Sequence, residues 1–529
     1  MSLKQSIEQS QKFLVEGRDI PWLLNTWAER TPDKAFLVWE PFDGEMQTWT
    51  YAELAHDVEA LAAGLSARGI KFGDFVLIHL DNSPEFVISW FACARLGAVA
   101  VATNTRSVAR DMSYFANHVG AVAAITQPAY AKMVHGSAPK LKFIAVTDND
   151  SGVPAEVPEI VPHTSFAELL IIEGGAPQRP VDPMANLGIQ FTSGTTSRPK
   201  AVLWTHANGI WGALRNAAHM HLGTEDITLI VLPLFHTNAQ AYSMLGTLWV
   251  GGTMVVQPKF SASRFWDVAR KHKCTWASMV LFCVKVLLSR DPPPDHHFRF
   301  WGCSGHHPPA EAAYGIKTMG WWGMTETITH GIVGDIYQPG PPLCIGRVAQ
   351  GYDVEIRHRD GTLIKPGEQG LLFIRGVRGV SLFKEYFRNP EANASAFDDD
   401  GWFETGDVIS MDKMGNLFFS DRDKDMLRVG SENVAASEIE AVILATGWVH
   451  DCAVVGQKHH LLDEVPIAFV VAKSDAPENL SQRIIEVCGE KLADFKVVRD
   501  VIALDDMPRG TLDKIDKKEL RSQLVAIEA

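Results

Sequence analysis

The sequence predicts an α/β protein of several domains, and three observations predict it. Between residue 20 and about 185, stretches with apolar residues at helical spacing alternate with short apolar runs. That rhythm is expected of a parallel sheet covered by helices on both faces. The same alternation returns from 205 to 330 without an internal sequence repeat. From Pro339 to Ser420 it gives way to short runs with frequent Gly and Asp turns, which predicts a small β-barrel-like subdomain. Another α/β unit follows residue 425. A chain of 529 residues is too long for one core, so roughly two to four domains are expected.

Taken in order, Tyr51 to Ala67 carries Leu54, Val58, Leu61 and Leu65 on one helical face and stops at Gly69. Phe75 to Leu80 is a short apolar strand, Pro84 to Leu96 a second amphipathic helix ending at Gly97, and Ala98 to Ala102 a buried strand. In the second alternating stretch, helices are predicted over His206–His219, Gln240–Trp249 and Ser263–Lys271, and strands over Thr228–Leu232 and Thr253–Val256. Trp276 to Ser289 reads as a buried strand followed by a helix, because Lys285 interrupts it. In the last unit, strands are expected near Ala453–Val455 and Ile467–Val471, with helices over Glu438–Leu444 and Leu480–Leu492. The charged run Asp421-Arg422-Asp423-Lys424-Asp425 precedes that unit and reads as a solvated linker.

Composition narrows the function. The net charge is −14, and a nucleic-acid surface needs cationic patches, so no nucleic-acid partner is expected. The cysteines stand singly at 93, 274, 283, 303, 344, 452 and 488, with no CxxC pair, as in a reducing, cytoplasmic setting. The first twenty residues carry six charges and no signal-peptide apolar core. No run approaches the ~18 apolar residues of a membrane span.

The chemistry is announced by Phe191-Thr192-Ser193-Gly194-Thr195-Thr196-Ser197-Arg198-Pro199-Lys200, a turn between the apolar runs Leu187–Phe191 and Ala201–Trp204. Hydroxyls and exposed backbone N–H groups can donate to phosphate oxygens, and Gly lets the backbone come close. Arg198 and Lys200 supply the charge a polyphosphate requires. An ordinary Ser/Thr loop capping its own backbone is the alternative. Five more stretches accompany it: Leu232-Pro233-Leu234-Phe235-His236-Thr237, Trp322-Gly323-Met324-Thr325-Glu326-Thr327, Gly401-Trp402-Phe403-Glu404-Thr405-Gly406-Asp407, the charged run with Gly430-Ser431-Glu432-Asn433-Val434, and Pro508-Arg509-Gly510-Thr511-Leu512-Asp513-Lys514-Ile515.

In this order and spacing, from about residue 25 to 522, the stretches resemble the adenylate-forming enzymes: acyl- and aryl-CoA synthetases, firefly luciferases and the adenylation domains of peptide synthetases. TSGTTSRPK, WWGMTETITHGIVGD and SLFKEYFRNPEA look most like the crotonobetaine/carnitine-CoA ligase branch. The resemblance implies a large N-terminal adenylation domain over 1–421 with two helix-flanked sheets, a hinge at 422–425, and a small mobile C-terminal α/β lid over 426–529. It implies an ATP-dependent acid–CoA ligase using Mg²⁺ and coenzyme A, which forms acyl-AMP and pyrophosphate before a thiol displaces AMP.

By the same resemblance, Thr192, Ser193, Gly194, Thr195, Thr196 and Lys200 hold phosphates, and Thr325 donates to the α-phosphate. Glu326 holds Mg²⁺, since a hard cation takes oxygen ligands; a capping carboxylate is the alternative. Ser304, Gly305, His306, Trp322, Gly323 and Met324 flank the nucleotide, and Asp407 and Arg422 grip the ribose. Lys514 bridges the carboxylate and the α-phosphate, and His236 closes over the acyl carboxylate. Rotation at Lys424 would carry Lys514 away and bring Gly430 to the pantetheine. Trp211, Phe235, His236, Asn238, Thr329 and His330 would line the acyl pocket together with Ser304, Gly305 and Met324.

Some positions depart from the family pattern. Ser197 and Ala201 stand where Gly is commoner, and Asp513 replaces a usual Gly beside Lys514, where its carboxylate competes for the ammonium. A ligase loading a carrier-protein phosphopantetheine, a luciferase-like oxygenase, and a nucleotide-binding homologue with weakened catalysis remain open alternatives. Trp211 would stack on an aromatic acid, hold a trimethylammonium by cation–π attraction, or serve as core. The partners are a small carboxylic acid, ATP and CoA, and the sequence leaves a homo-oligomer open.

Overall fold

The computed structural model describes residues 3–527 except 160, 171–174, 193–198, 292, 294, 423–425, 430–431, 460–462, 493 and 510–514. The chain forms two compact units, Met1–Val354 with Ile374–Phe403, and Glu355–Phe373 with Glu404–Ala529.

The first unit holds two sheets. One runs in the order Glu385–Tyr386, Lys200–Thr205, Asn186–Thr192, Val99–Ala102, Phe75–His79, Ala123–Thr126, Phe143–Val146, Thr164–Ser165. It is parallel from Asn186–Thr192 onward and antiparallel at its other end. The other contains Cys344–Val348, His330–Val333, Lys317–Gly323, Phe300–Cys303, Trp276–Ser278, Ile227–Ile230, Thr253–Val256, Ala35–Trp39 and Gln47–Thr50 in that order. Its middle strands are parallel, as crossover helices require.

Helix ends follow local chemistry. Helix Tyr51–Ala67 starts where the Thr50 hydroxyl accepts from the Glu53 N–H at 3.2 Å and the Glu53 carboxylate accepts from the Thr50 N–H at 2.8 Å, a reciprocal cap. Helix Pro84–Leu96 has Ser83 as its cap and ends at Gly97 with φ 79°, a left-handed stop that suits glycine. Thr205 caps helix His206–His219, its hydroxyl accepting from the Asn208 N–H at 3.1 Å. One stretch differs from the sequence expectation. In place of a single helix over Gln240–Trp249, Asn238–Leu245 is π-helical and Gly246–Val250 α-helical. Such wide turns are rare and concentrate at functional sites.

In the second unit, strands Glu432–Ala435, Met426–Val429, Asp463–Ala472, Val449–His459 and Asp500–Ala503 share a sheet. Ile439, Ile443, Ile484 and Cys488 pack into one core of this unit, and Leu520 and Leu524 into another. The barrel-like subdomain expected between Pro339 and Ser420 is not a closed barrel. Asp353–Arg357, Gln369–Arg375, Trp402–Met411 and Leu417–Arg422 lie side by side in an open array with Asp353–Arg357 at its edge. Closure needs enough tilted strands for the first to reach the last, and this run has too few.

Candidate functional site

Strands Asn186–Thr192 and Lys200–Thr205 pair antiparallel, with Thr192 opposite Lys200 at the open end. The Thr192 hydroxyl donates to the Lys200 carbonyl at 3.4 Å. The residues on either side of the Ser/Thr-rich stretch therefore stand in register on paired strands. Of the residues expected to hold phosphate, Thr192 and Lys200 stand at that base, while Ser193, Gly194, Thr195 and Thr196 lie outside the described residues.

Strand Glu385–Tyr386 extends the same sheet, with Tyr386 opposite Val202. This register sets the Lys200 ammonium over the Tyr386 ring, 4.5 Å from its centroid. The phenol donates to Glu326 Oε1 at 3.0 Å. Burial, and then the Glu326 charge, push the Tyr386 phenol upward, so it stays a donor. Glu326 is 3% exposed; its carbonyl accepts from the Phe383 N–H at 2.9 Å. The Trp204 indole N–H donates to the Thr325 carbonyl at 2.9 Å. A buried carboxylate and an ammonium thus meet through one aromatic ring beside the strand that follows the hydroxyl-rich stretch.

Glu326 and Thr325 sit in a single 3₁₀ turn, Thr325–Thr327, after strand Lys317–Gly323. The turn ends at Ile328, whose φ of 62° is left-handed. A β-branched residue there stores strain of about 1–3 kcal/mol. Around it the surroundings are over-determined. The Thr237 hydroxyl donates to Gln190 Oε1 at 2.6 Å and lies 3.1 Å from the Thr325 hydroxyl. Gln190 Nε2 donates to Gln240 Oε1 at 2.9 Å, and Gln240 Nε2 to the Leu234 carbonyl at 3.2 Å. These buried side chains tie three separate sequence stretches together. Sequence reasoning missed them, although a Gln inside the apolar run Leu187–Phe191 was a signal. Tyr386 was missed as well, while standing inside a quoted motif.

His236 is half-buried, edge-on to Phe235 with ring centroids 4.6 Å apart, and its carbonyl accepts from the Gln240 N–H at 3.0 Å. Asn238 opens the π-helical segment. Ser304 is exposed, and Gly305 and His306 lie against residues 341–344, with the His306 N–H donating to the Cys344 carbonyl at 2.8 Å. A Cβ on Gly305 would approach the Leu343 carbonyl to 2.9 Å. Trp322 is buried, Gly323 and Met324 half-buried, and the Met324 N–H donates to the Thr327 hydroxyl at 3.0 Å.

The acyl-pocket expectations divide. Trp211 is fully buried, and its indole N–H donates to the Tyr352 hydroxyl at 3.1 Å. The Arg215 guanidinium already lies over its ring at 4.5 Å. The Tyr352 hydroxyl in turn donates to the Thr327 carbonyl at 2.6 Å, so Trp211 is part of the scaffold beneath the turn. Thr329 is buried and its hydroxyl donates to Asn216 Oδ1. His330 is wholly buried, stacked on Trp321 at 4.3 Å and 4.2 Å from the Tyr242 ring.

In the second unit, Asp407 is 2% exposed and pairs in register with Arg422 on the neighbouring strand, which makes the two expected ribose residues cross-strand neighbours. Of Arg422 only the backbone is described, and Lys424, Gly430 and Lys514 lie outside the described residues. A bridge joins Arg509 to Ile515, the described residues on either side of 510–514.

Among the described residues no group of three or more His, Cys, Asp or Glu side chains could hold a metal. One buried carboxylate fits a magnesium ion, which keeps waters and substrate phosphates in most of its positions. No helix among the described residues is long and apolar enough to cross a membrane.

Comparison with known proteins identifies the family and the fold. Residues 24–387 match the AMP-binding enzyme family and residues 438–514 the AMP-binding enzyme C-terminal domain. The chain is 32% identical over 528 residues to the crotonobetaine/carnitine–CoA ligase of Salmonella paratyphi A, covering 96% of this chain and 100% of that one. Its fold matches ATP-bound MatB from Rhodopseudomonas palustris with a TM-score of 0.85 at 25% identity, over 97% of this chain and 100% of that one. It also matches the O-succinylbenzoate coenzyme A synthetase of Bacillus subtilis in complex with ATP and a magnesium ion, with a TM-score of 0.79 at 26% identity, over 95% and 99% of the two chains.

Proposed function

The chain belongs to the AMP-binding enzyme family, and from that premise we propose how its residues divide the work. The protein is an ATP-dependent acid–CoA ligase acting through an acyl-AMP: acid, ATP and CoA become acyl-CoA, AMP and pyrophosphate. Its first half-reaction drives a carboxylate anion onto an anionic phosphate, so neutralising charge dominates the barrier. The observation that carries our reading is the Lys200–Tyr386–Glu326 arrangement beside the strand that follows the Ser/Thr stretch.

Lys200 and the turn from Thr192 to Thr196 hold the ATP phosphates. Thr325 donates to the α-phosphate, held in place by Thr237 and Gln190. Glu326 would hold Mg²⁺, which supplies positive charge to the phosphates when bound. Tyr386 fixes the direction of the Glu326 carboxylate. Asp407 and Arg422 take the ribose, and Ser304 to His306 with Trp322 to Met324 flank the nucleotide. His236 closes over the acyl carboxylate in a pocket that includes Phe235, Asn238, Thr329 and His330. Lys514 bridges carboxylate and α-phosphate during adenylation. A hinge at 422–425, with Lys424 at its centre, then exchanges Lys514 for Gly430, which meets the pantetheine; residues 1–421 and 426–529 are the parts that move against each other. No disulfide links the seven buried cysteines, which supports a cytoplasmic setting.

Pyrophosphate release on mixing a carboxylic acid, ATP and Mg²⁺ tests this, with acyl-CoA appearing only when CoA is added. Dependence on a carrier protein would move the acceptor from CoA to a tethered pantetheine. Failure to release pyrophosphate with any acid of a broad panel would leave only nucleotide binding.

A second test addresses Tyr386. A hydrogen bond to a buried charged group is worth about 1.5–3 kcal/mol. Tyr386→Phe is therefore expected to slow adenylation about tenfold to a hundredfold while the fold stays intact. A rate within twofold of the parent protein would separate Tyr386 from the Glu326 carboxylate.

A further inference from the structure

A buried hydrogen-bond chain behind Thr325 has a direction that its chemistry fixes. It begins at the Leu234 carbonyl. Leu234 is fully buried, and its N–H donates to Asn82 Oδ1 at 2.7 Å, while Asn82 Nδ2 donates to the Leu232 and Gln257 carbonyls at 3.0 and 3.1 Å. Asn82 follows strand Phe75–His79 of the other sheet, so both sheets hold this carbonyl in place. A carbonyl oxygen only accepts. Gln240 therefore turns its Nε2 to it, at 3.2 Å.

Gln240 Oε1 then faces Gln190, which answers with its own Nε2 at 2.9 Å. That leaves Gln190 Oε1 as an acceptor, and the Thr237 hydroxyl donates its one proton there at 2.6 Å. The Thr237 oxygen, 3.1 Å from the Thr325 hydroxyl, has only lone pairs left to offer, so the Thr325 proton points inward to it. Turning either amide over would set two acceptors or two donors face to face, which a buried site does not tolerate. Gln240, Gln190 and Thr237 are 1%, 5% and 6% exposed, whereas Thr325 is half-buried. The chain thus runs outward from the interior, and its open end is the Thr325 hydroxyl. One link, Gln240, belongs to the π-helical segment Asn238–Leu245.

We infer that Gln240, Gln190 and Thr237 are positioning residues for adenylation: a one-way relay that holds the Thr325 oxygen and keeps its proton on Thr237 until an α-phosphate oxygen takes it. The inference rests on the acid–CoA ligase reading above, in which Thr325 meets that phosphate. The exchange needs only a turn of the hydroxyl about its C–O bond, which gives up a neutral acceptor for an anionic one, the stronger partner. The gain grows as charge gathers on the α-phosphate in the transition state, so the relay acts on the rate more than on ATP binding. Its first link also lies two residues before His236, so the segment that closes over the acyl carboxylate and the hydroxyl that meets the phosphate share one support.

Isotope exchange between pyrophosphate and ATP in the full-length protein tests it, with the acid of a broad panel that gives the fastest pyrophosphate release. Thr237→Val keeps the shape of the side chain and removes both of its links. It is expected to lower the maximal exchange rate about tenfold or more, while KM for ATP changes by about threefold or less. Thr237→Ser, which keeps the hydroxyl, should hold the rate within about threefold of the parent protein, and Gln190→Leu should match Thr237→Val. The double substitution decides whether the effect passes through Thr325. In a Thr325→Val protein, adding Thr237→Val is expected to cost about twofold or less, because a relay with no terminus has nothing left to position. Losses that multiply in the double variant, a Thr237→Val rate equal to the parent rate, a loss confined to KM for ATP, or a Thr237→Ser protein as slow as Thr237→Val would each overturn the inference. A parent protein that releases pyrophosphate alongside any of those results keeps the ligase reading and loses the relay; one that releases none with any acid loses both. Should Gln190→Leu fail to fold, the threonine variants still decide.

Discussion

Glu326→Gln is expected to slow adenylation about 100- to 1000-fold, more than any other change in the described part of the site. The substitution keeps the size of the side chain and an oxygen that the Tyr386 phenol can still reach, so the bond at 3.0 Å survives in form. What it removes is the charge. A neutral amide is a poor partner for a hard dication, and the charge meeting in the transition state is then met by fewer positive groups. Isotope exchange between pyrophosphate and ATP, measured across a series of magnesium concentrations, separates two outcomes. A rate that recovers at high magnesium ties Glu326 to the metal; a rate that stays low ties it to the geometry of the Thr325–Thr327 turn. A rate within threefold of the parent protein at all concentrations would remove Glu326 from the chemistry.

That Glu326 could be singled out in the sequence, while its partner Tyr386 was not, has a physical reason. Helices Tyr51–Ala67, Pro84–Leu96 and His206–His219 were legible to the residue, because their ends are set by Thr50, Ser83 and Thr205 acting on adjacent N–H groups. Local chemistry leaves a local trace. Tyr386 reaches Glu326 only because a two-residue strand joins the far side of the hairpin, a pairing of segments almost two hundred residues apart. Nothing in its immediate sequence announces that.

The π-helical turns of Asn238–Leu245 were hidden for a related reason. The residues have ordinary helical periodicity, and the wider winding comes with packing against neighbours: Asn216 donates to the Ala241 carbonyl at 3.0 Å, and Gln240 reaches Gln190. Trp211 was left open between a ligand contact and a place in the core, and in the structure it is fully buried and engaged by Arg215 and Tyr352. The open strand array over residues 353–422 belongs here too. Short strands with Gly turns are legible, but whether their ends meet is a property of the whole sheet.

Lys514→Ala is expected to slow acyl-AMP formation about 100- to 1000-fold, equivalent to about 2.7–4 kcal/mol of transition-state stabilisation, while leaving the second half-reaction within a few-fold of the parent rate. The ammonium is wanted only while two anions approach each other, and once acyl-AMP exists that repulsion is gone. The Arg509–Ile515 bridge, with Arg509 paired to Asp451, anchors the described residues on either side of the stretch that contains Lys514. Alanine at 514 therefore leaves both flanking anchors in place, which makes the substitution a test of charge rather than of folding. Supplying synthetic acyl-AMP with CoA isolates the second step, and pyrophosphate release isolates the first. Asp513 offers a second test, because a carboxylate next in sequence to Lys514 would compete for its charge. Asp513→Gly should raise the adenylation rate or leave it unchanged, with the larger gain at low salt, where neighbouring charges are least screened. Equal losses of both half-reactions in Lys514→Ala would mean that the residue supports the fold of the second unit and takes no part in the first step alone.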